Sequence, residues 1–332
     1  MFDNIPRIKL ASLPTPLDEV KSLGQKYGFY KLFMKRDDLT GFAGGGNKAR
    51  KLEYDFVEIL NGGYDVVITA GGIQSNHARM TAAAVRKTGL EVKLVLGGPD
   101  FSKYEGNLLL DVLFGAEIRY LVNDDDNDHL TSAMHQWAEE LSGKGKKPFI
   151  IPIGGSTGLG ALGYVRAMKE LAEQFGQDQV QIVMAVGSCG TFAGSILGAK
   201  MFLPSARVIG ISVSRTSKAI SHRTKEIIQE CAGILKFDIN INDISIESYD
   251  QYFVEYGLMT KESKSAILEC ADLEGILLDP IYTGKSMAGM IDLLKKGIID
   301  PNVATIFIHS GGLPIIFSFE SEFNKLAKCT KL

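Results

Sequence analysis

The chain has 332 residues, of which 45% are hydrophobic and 23% charged, a balance typical of a globular protein rather than a disordered or fibrous one. Its 36 basic and 39 acidic residues leave a net charge of −3, so it lacks the strong positive charge expected of nucleic-acid or membrane-surface binding. No apolar run reaches the ~20 residues of a membrane-spanning helix, and the length predicts one large domain or two linked ones.

Short apolar runs alternate with amphipathic stretches in the first half of the chain. Each apolar run is nearly continuous, as expected of a strand buried on both faces of a sheet. The predicted elements are strand 65–71, helix 75–87, strand 92–97, helix 107–115, strand 117–122, helix 129–142 and strand 148–153.

The same alternation continues in the second half. The predicted elements are helix 158–175, strand 180–186, helix 191–202, strand 207–213, helices near 261–274 and 284–297 on either side of the apolar run 276–279, and strand 304–309. This order predicts an α/β fold with parallel-rich, twisted sheets flanked by helices on both faces. The acidic run 123–128 is expected to be a solvated loop at a helix N-terminus.

The cysteines and histidines show no spacing typical of a disulfide framework or a metal site. The four cysteines are scattered, and the five histidines form no His-Glu-x-x-His pair. The N-terminal segment carries an early aspartate and no continuous apolar core, unlike a secretory signal. We therefore expect a cytoplasmic protein without a bound catalytic metal.

Three glycine-rich turns, at 70–77, 152–158 and 186–191, follow predicted strands and open predicted helices. Ligands of open α/β sheets bind at the carboxyl ends of strands, where such turns lie. In the third turn, converging N–H groups and the hydroxyls of Ser188 and Thr191 could hold an anion. It is neither a Walker A loop nor a GxGxxG fingerprint, which favours a phosphorylated cofactor such as pyridoxal phosphate. A tight turn that uses glycine only for steric reasons is the alternative.

The stretch GGGNKARKLEYDF (44–56) contains candidate lysines for that cofactor, which needs a lysine on an ordered element. Lys48 and Lys51 are three residues apart and would share one face of a helix. Asn47 is expected to cap this helix. The pattern does not distinguish the two lysines, nor does it exclude a solvated basic helix start.

Six motifs, in order along nearly the whole chain, resemble those of one family. They are KRDDLTGFAGGGNKARKLE (35–53), GGIQSNHARMTAA (71–83), IPIGGSTGLGALGYV (151–165), GSCGTFAG (187–194), DPIYTGKSMAGM (279–290) and FIHSGG (307–312). The family is that of D-cysteine desulfhydrase and 1-aminocyclopropane-1-carboxylate (ACC) deaminase, which are fold type II pyridoxal-phosphate enzymes. The resemblance implies a tryptophan synthase β-like fold with a small α/β domain at 52–160 and a large cofactor-binding domain formed by 1–51 and 161–332.

The resemblance also implies roles for cofactor-binding residues. The covalent lysine of the family directly follows the asparagine, which makes it Lys48 here, and Lys51 becomes a supporting cation. Cys189 occupies the variable position of the phosphate loop, as a small filler. The phosphate-binding positions carry over to Gly187, Ser188, Gly190 and Thr191.

Substrate positions follow from the same resemblance. In the QSNH turn, Gln74 would support the loop. The residues implied to lie beside the cofactor ring and the substrate carboxylate are Ser75, Asn76 and His77. Two active-site tyrosines, Tyr256 and Tyr282, would orient the substrate or serve the leaving group, although Met259 replaces a proline that relatives carry after the first of them.

The residue after the second tyrosine separates the branches of the family. ACC deaminases have a glutamate there, against the pyridine nitrogen, and a glutamine in place of His77. Here a hydroxyl from Thr283 or Ser310 would leave that nitrogen neutral and the ring a weaker electron sink.

These departures favour a homodimeric carbon–sulfur lyase that converts D-cysteine to pyruvate, sulfide and ammonia by β-elimination, with Lys48 as general base. ACC deaminase and L-cysteate sulfo-lyase are alternatives, since a different leaving group would share the same first steps. A remote alternative is a non-catalytic protein that binds an amino acid or the cofactor, although neither the lysine nor the phosphate loop is missing. Nucleic acids and membranes are not expected partners.

Overall fold

The computed structural model describes residues 4–176, 179–252 and 257–324. The strands in these ranges are β1 (Leu17–Glu19), β2 (Leu32–Lys35), β3 (Val66–Gly72), β4 (Glu91–Gly98), β5 (Glu117–Val122), β6 (Pro148–Ile150), β7 (Gln181–Val186), β8 (Arg207–Ser212), β9 (Glu247–Tyr249) and β10 (Thr305–Ile308). The α-helices are α1 (Lys21–Tyr27), α2 (Lys48–Asn61), α3 (Asn76–Thr88), α4 (Gly106–Leu113), α5 (Asn127–Ser142), α6 (Gly158–Phe175), α7 (Gly190–Phe202), α8 (Ser217–Leu235), α9 (Lys261–Glu274), α10 (Thr283–Lys295), α11 (Leu313–Ile316) and α12 (Glu320–Phe323).

The strands form two separate sheets. A four-stranded sheet has the order β5-β4-β3-β6 and is parallel throughout. A six-stranded sheet has the order β1-β2-β10-β7-β8-β9, in which only the β1–β2 pair is antiparallel. The predicted α/β class with parallel-rich sheets is confirmed.

Each sheet is covered by helices on both faces, because successive side chains of a strand point in opposite directions. On β7, Ile182 and Met184 pack with α6, α7 and α8, whereas Val183 between them packs with α1, α9 and α10. On β3, Val67 faces α2 and α3, while Ile68 faces α5. This two-sided burial explains why the strand sequences are nearly continuous apolar runs.

Several element boundaries differ from the sequence prediction. The predicted strand 148–153 ends at Ile150, and a short 3-10 turn covers Ile153–Gly155. The short strands β1, β2 and β9 and the long helix α8 were absent from the predicted elements. All strands of the four-stranded sheet fall within 52–160, but the division of the chain into two domains at these boundaries remains a prediction.

A buried ion cluster anchors helix α2. Arg50 donates to both carboxylate oxygens of Asp37, at 2.8 and 2.9 Å, and to Glu170 on α6 at 2.9 Å. Burial alone would raise the pKa of Asp37, but the Arg50 guanidinium brings it below the usual range. Lys35 on β2 completes the cluster through Glu170. The N-terminal turn of α2 is therefore tied to both β2 and α6.

Two kinds of feature are absent from the described ranges. None of their helices is both long and apolar enough to cross a membrane. Nor do their His, Cys, Asp and Glu side chains form a group of three or more that could hold a metal ion.

Candidate active site

A cavity of about 390 Å³ is lined by turns from both sheets. Helices α2, α3 and α7 begin at its wall, so the positive ends of their dipoles point toward its interior. The predicted site residues on its wall are Lys48, Ser75, Asn76, His77, Gly187, Ser188, Thr191, Tyr282 and Ser310. These residues come from five of the six sequence motifs, which thus meet in one place.

Lys48 is the first residue of α2 and lies on the cavity wall. The three preceding glycines all have positive φ, and a Cβ on Gly45 would lie 1.8 Å from the Asp38 carbonyl oxygen, so only glycine fits there. The loop is held by a hydrogen bond from Asn47 N–H to the Ser310 carbonyl at 2.9 Å. Burial of its amine lowers the pKa of Lys48 to about 8.

The predicted capping role of Asn47 is wrong. Its side chain makes no capping hydrogen bond, and its amide instead donates to Thr191 Oγ1 at 2.9 Å. The backbone of Asn47 is already helical, so its side chain is not placed to accept from the first-turn N–H groups. The contact joins the start of α2 to the start of α7.

Lys51 lies one turn beyond Lys48 and is not on the cavity wall. Its ammonium is fully buried and donates to the Gly154 carbonyl at 2.6 Å and to Ser156 Oγ at 3.4 Å. A Cβ on Gly190 would come within 2.6 Å of this ammonium. Burial, reinforced by the charge of Lys48, holds the pKa of Lys51 well below its ordinary value. The Lys51 amine lies directly beneath the glycine-rich loops, where a bound anion would favour its charged form.

The turn 187–191 forms a tight, polar pocket wall. Cys189 adopts a left-handed conformation with φ of 71°, and α7 begins at the next residue. Ser156 Oγ donates to Ser188 Oγ at 2.7 Å and accepts from Gly190 N–H at 3.3 Å. The first-turn N–H groups of α7 have no intrahelical acceptors, so this end of the helix suits an anion. Ser156 was not singled out from the sequence.

The turn before α3 and the first residues of that helix bring polar side chains to the cavity wall. Ser75 caps the helix by accepting from Ala78 N–H at 3.1 Å. His77 is buried, and burial keeps its pKa well below the ordinary value, so the ring is neutral. Thr69 Oγ1 donates to the Ile151 carbonyl and therefore accepts from His77 Nε2, which leaves Nδ1 as an acceptor.

Of the three predicted site residues Tyr282, Thr283 and Ser310, two lie on the cavity wall and one does not. Tyr282 and Ser310 line the cavity. Thr283 is fully buried, lies outside the cavity lining, and its hydroxyl donates to Asp279 Oδ2 at 2.7 Å. Asp279 also accepts from the backbone N–H groups of residues 281–283. This carboxylate, which the sequence reading did not single out, holds the turn that carries Tyr282.

The remaining predicted site residues lie outside the cavity or outside the described ranges. Gln74 is not on the wall, and its side chain bonds instead to the turn before α4. Gly190 and Lys51 are adjacent to each other and are not among the residues that line the cavity. Tyr256 belongs to 253–256, outside the described residues. The wall also includes Arg215 and residues 125–127, which belong to the predicted solvated loop.

The family model of pyridoxal-phosphate dependent enzymes matches residues 8–311 of the chain. The chain belongs to the pyridoxal-phosphate-dependent enzyme family. This enzyme is 40% identical over 329 residues to a putative ACC deaminase of Pyrococcus abyssi, with 98% of this chain and 97% of the relative covered. It is 38% identical over 325 residues to a D-cysteine desulfhydrase of Yersinia enterocolitica, with 96% and 97% covered.

Solved structures support the same membership. The pyridoxal-phosphate enzyme superposes on a crystal structure of an ACC deaminase homologue with a TM-score of 0.90, 38% identity and 98% of both chains covered. Threonine deaminase isoform 2 of Solanum lycopersicum has a TM-score of 0.68 at 17% identity, with 96% of this chain and 84% of that chain covered, and thus shares the fold. The predicted family, fold type and cofactor are confirmed.

The residues of the cavity fit pyridoxal phosphate. A lysine with a lowered pKa stands on the wall, as covalent attachment to the cofactor requires. At Gly154, a Cβ would lie 2.1 Å from Ser188 Oγ, so glycine there lets the turn at 154 pack directly against the predicted phosphate loop. The start of α7 and the buried Lys51 supply positive potential beside the same loops, which suits a phosphate.

Proposed function

We propose that this enzyme catalyses β-elimination from D-cysteine, releasing pyruvate, sulfide and ammonia. The observation that carries this proposal is the hydroxyl residue Ser310 on the cavity wall, while position 283 holds a threonine that is bonded to Asp279 away from the cavity. Pyridoxal phosphate bound there supplies an electron sink for negative charge at the Cα atom. A ring beside a hydroxyl is a weaker sink than one beside a carboxylate, which suits loss of a good leaving group better than opening of a cyclopropane.

Lys48 would hold the cofactor covalently and, once released from it, take the proton from the substrate Cα atom. Its pKa of about 8 supports this role, because a substantial fraction of the amine is neutral near physiological pH. An ordinary lysine would be almost entirely protonated there. Lys51, with its ammonium under the loops, would contribute positive charge to phosphate binding together with Ser188 and Thr191.

Ser75, Asn76 and His77 would bind the substrate carboxylate and the cofactor ring. Their place at the start of α3 supports this, since N–H groups and the helix dipole favour an anion there. Tyr282 would orient the substrate or donate to the departing sulfur, and its position on the cavity wall is compatible with both. Ser310 would face the pyridine nitrogen.

Two other substrates remain as candidates. ACC deamination is supported by the likeness to the putative ACC deaminase of Pyrococcus abyssi, whereas the Yersinia enterocolitica relative is a D-cysteine desulfhydrase. L-cysteate carries a sulfonate, for which Arg215 on the cavity wall would supply a cation. A protein that binds cofactor or amino acid without catalysis is disfavoured by the intact lysine and phosphate loop.

A product panel tests the proposal. The holoenzyme is incubated with D-cysteine, L-cysteine, L-cysteate, D-serine and ACC, and pyruvate, 2-oxobutyrate, sulfide and sulfite are measured. The expected result is sulfide and pyruvate from D-cysteine, with loss of both in Lys48→Ala. Faster formation of 2-oxobutyrate from ACC, or of sulfite from L-cysteate, would overturn the choice of substrate.

We also propose a cytoplasmic homodimer. Support for the compartment comes from Cys189, Cys231 and Cys270, which are buried and unpaired, as in reduced proteins.

Support for the dimer comes from an apolar surface where α11 packs against α4. The exposed side chains of this α4–α11 surface are Leu109, Val112, Leu113, Leu313 and Phe317. Such clustered exposure is typical of a subunit interface.

A further inference from the structure

The amide of Asn76 is oriented by two donors behind the cavity wall. Its Oδ1 accepts from Asn107 Nδ2 at 2.9 Å and from Arg79 Nη2 at 3.3 Å. An arginine side chain can only donate, so the atom that faces Arg79 must be the amide oxygen. The amide nitrogen therefore points away from these donors, on a residue that lines the cavity.

The orientation of the Asn107 side-chain amide is determined in the same way. Its Nδ2 also donates to the backbone carbonyl of Gln74 at 2.9 Å, and a carbonyl can only accept. The backbone N–H of Asn107 donates to Gln74 Oε1 at 2.8 Å. The Asn107 side chain is completely buried, so turning its amide over would leave two acceptors facing its oxygen.

Close backbone approach allows this arrangement. Gly106 has φ of 57°, and a Cβ there would lie 2.4 Å from Gln74 Oε1. Gln74 Nε2 in turn donates to the Glu105 carbonyl at 3.2 Å. The start of α4 is thus clamped to the turn that precedes α3, in a geometry that a side chain at position 106 would prevent.

Arg79 connects the same amide to the loop before Lys48. This buried guanidinium donates to the Gly45 carbonyl at 3.2 Å and contacts the Ala43 carbonyl. Asp111, one turn after Asn107 on α4, is also buried. Burial lowers the pKa of Arg79 to about 10 and raises the pKa of Asp111 well above its ordinary value, while each charge favours the ionised form of the other. Arg79 therefore holds both the amide of Asn76 and the loop that positions the covalent lysine.

We propose that Asn107 and Arg79 are positioning residues that hold Asn76 with its amide N–H groups toward the cavity, where they donate to an acceptor oxygen of the bound cofactor or substrate. The inference rests on the proposed function, since it takes the cavity to be the cofactor site. It adds a residue 31 positions away from Asn76 in the sequence, on helix α4, none of whose residues lines the cavity.

The test uses the holoenzyme and the isosteric variant Asn107→Asp. A carboxylate has the same shape but offers only acceptor oxygens to Asn76 Oδ1 and to the Gln74 carbonyl. Asn76 Oδ1 therefore loses the hydrogen bond from position 107, and the Asn76 amide is free to turn over. We expect a shifted visible absorption band of the bound cofactor and a cofactor dissociation constant raised about tenfold, the effect of one lost hydrogen bond. Thr81→Val on α3 is the matched control, because Thr81 Oγ1 is buried without a partner in the described ranges.

A double-mutant cycle separates positioning from general stabilisation. In an Asn76→Ala background, Asn107→Asp should change the absorption band and the dissociation constant no further, whereas two independent effects would add. Thermal unfolding of each variant shows whether it folds, and Asn107→Ala, which removes one donor without adding a charge, serves if the aspartate variant does not. An unchanged band with a lowered unfolding temperature, or additive effects, would overturn the proposal.

Failure of the proposed function gives a different result. If the wild-type protein binds no pyridoxal phosphate, or if Lys48→Ala retains a borohydride-sensitive band, the cofactor assignment fails before Asn107 is tested. A wild-type band that Lys48→Ala abolishes, combined with an unaltered band in Asn107→Asp, would overturn only the positioning role.

Discussion

Thr283 and Asp279 exchange hydrogen bonds in both directions. The Asp279 N–H donates to Thr283 Oγ1 at 2.7 Å, and that hydroxyl donates back to Asp279 Oδ2 at 2.7 Å. Both side chains are fully buried. The hydroxyl hydrogen of Thr283 is thus used within the turn, although the sequence alone had left Thr283 and Ser310 as equal candidates for the pyridine nitrogen.

Substitution at these two positions distinguishes them. We expect Ser310→Ala to shift the visible band of the bound cofactor, because it removes a hydroxyl from the cavity wall. Thr283→Val should leave the band in place but lower the free energy of unfolding by about 1–3 kcal/mol, since it leaves buried groups of Asp279 unpaired. Thr283→Ser, which keeps the hydroxyl, is the control. A band shifted by Thr283→Val and not by Ser310→Ala would reverse the assignment.

Stability of the apoprotein should depend on pH through Lys48. Its pKa falls from 10.5 to about 8 on folding, so the unfolded state binds more protons between these values and the free energy of unfolding rises with pH there. Well below pH 8 the ammonium charge is fully present in the folded protein. Lys48→Met should therefore be more stable than the wild-type apoprotein at pH 7, by at most about 3 kcal/mol, and less where cavity water screens the charge.

Urea denaturation at several pH values measures this effect. The advantage of Lys48→Met should shrink as the pH rises from 8 to 10.5. Lys218→Met on the exposed face of α8 is the matched control, and its difference in stability from the wild type should not change with pH. If the wild-type apoprotein is more stable than Lys48→Met at pH 7, the ammonium of Lys48 does not destabilise the fold and the prediction is wrong.

Removal of Arg50 should destabilise the whole fold. Arg50→Met leaves the carboxylates of Asp37 and Glu170 buried without their main cation, for which the expected loss is about 3–5 kcal/mol in the free energy of unfolding. Lys146→Met removes an exposed pair with Glu91 and should cost less than about 1 kcal/mol. Equal denaturation midpoints for the two variants would show that the cluster does not anchor α2.

The α4–α11 surface should control assembly. Leu113 is 69% exposed, and Leu113→Glu places a charge at the centre of the proposed interface. Light scattering after size-exclusion chromatography should show the wild-type mass halved in this variant. Ile234→Glu, at a 43% exposed position on α8, should leave the mass unchanged. A Leu113→Glu variant that keeps the wild-type mass would place the interface elsewhere.

Local sequence patterns were sufficient for much of the fold. Strands β3, β4, β7 and β8 are recognisable because burial on both faces demands continuous apolar residues. The three-residue strands β1 and β9 are too short to show a period. Helix α8 is not among the predicted elements, although Ile220, Ile227 and Cys231 recur at helical spacing on its buried side.

The sequence by itself determined the family, the cofactor and the set of loops that surround it, because glycine-rich turns and an ordered set of motifs are local features. It could not rank Lys48 and Lys51 by pattern, since both share one helix face. Tertiary structure separated them by leaving one amine at the cavity wall and burying the other against the Gly154 carbonyl. It also decided the contacts of Asn107 and Thr283, because a hydrogen bond is specified by where two distant backbones approach each other and not by the residue types alone.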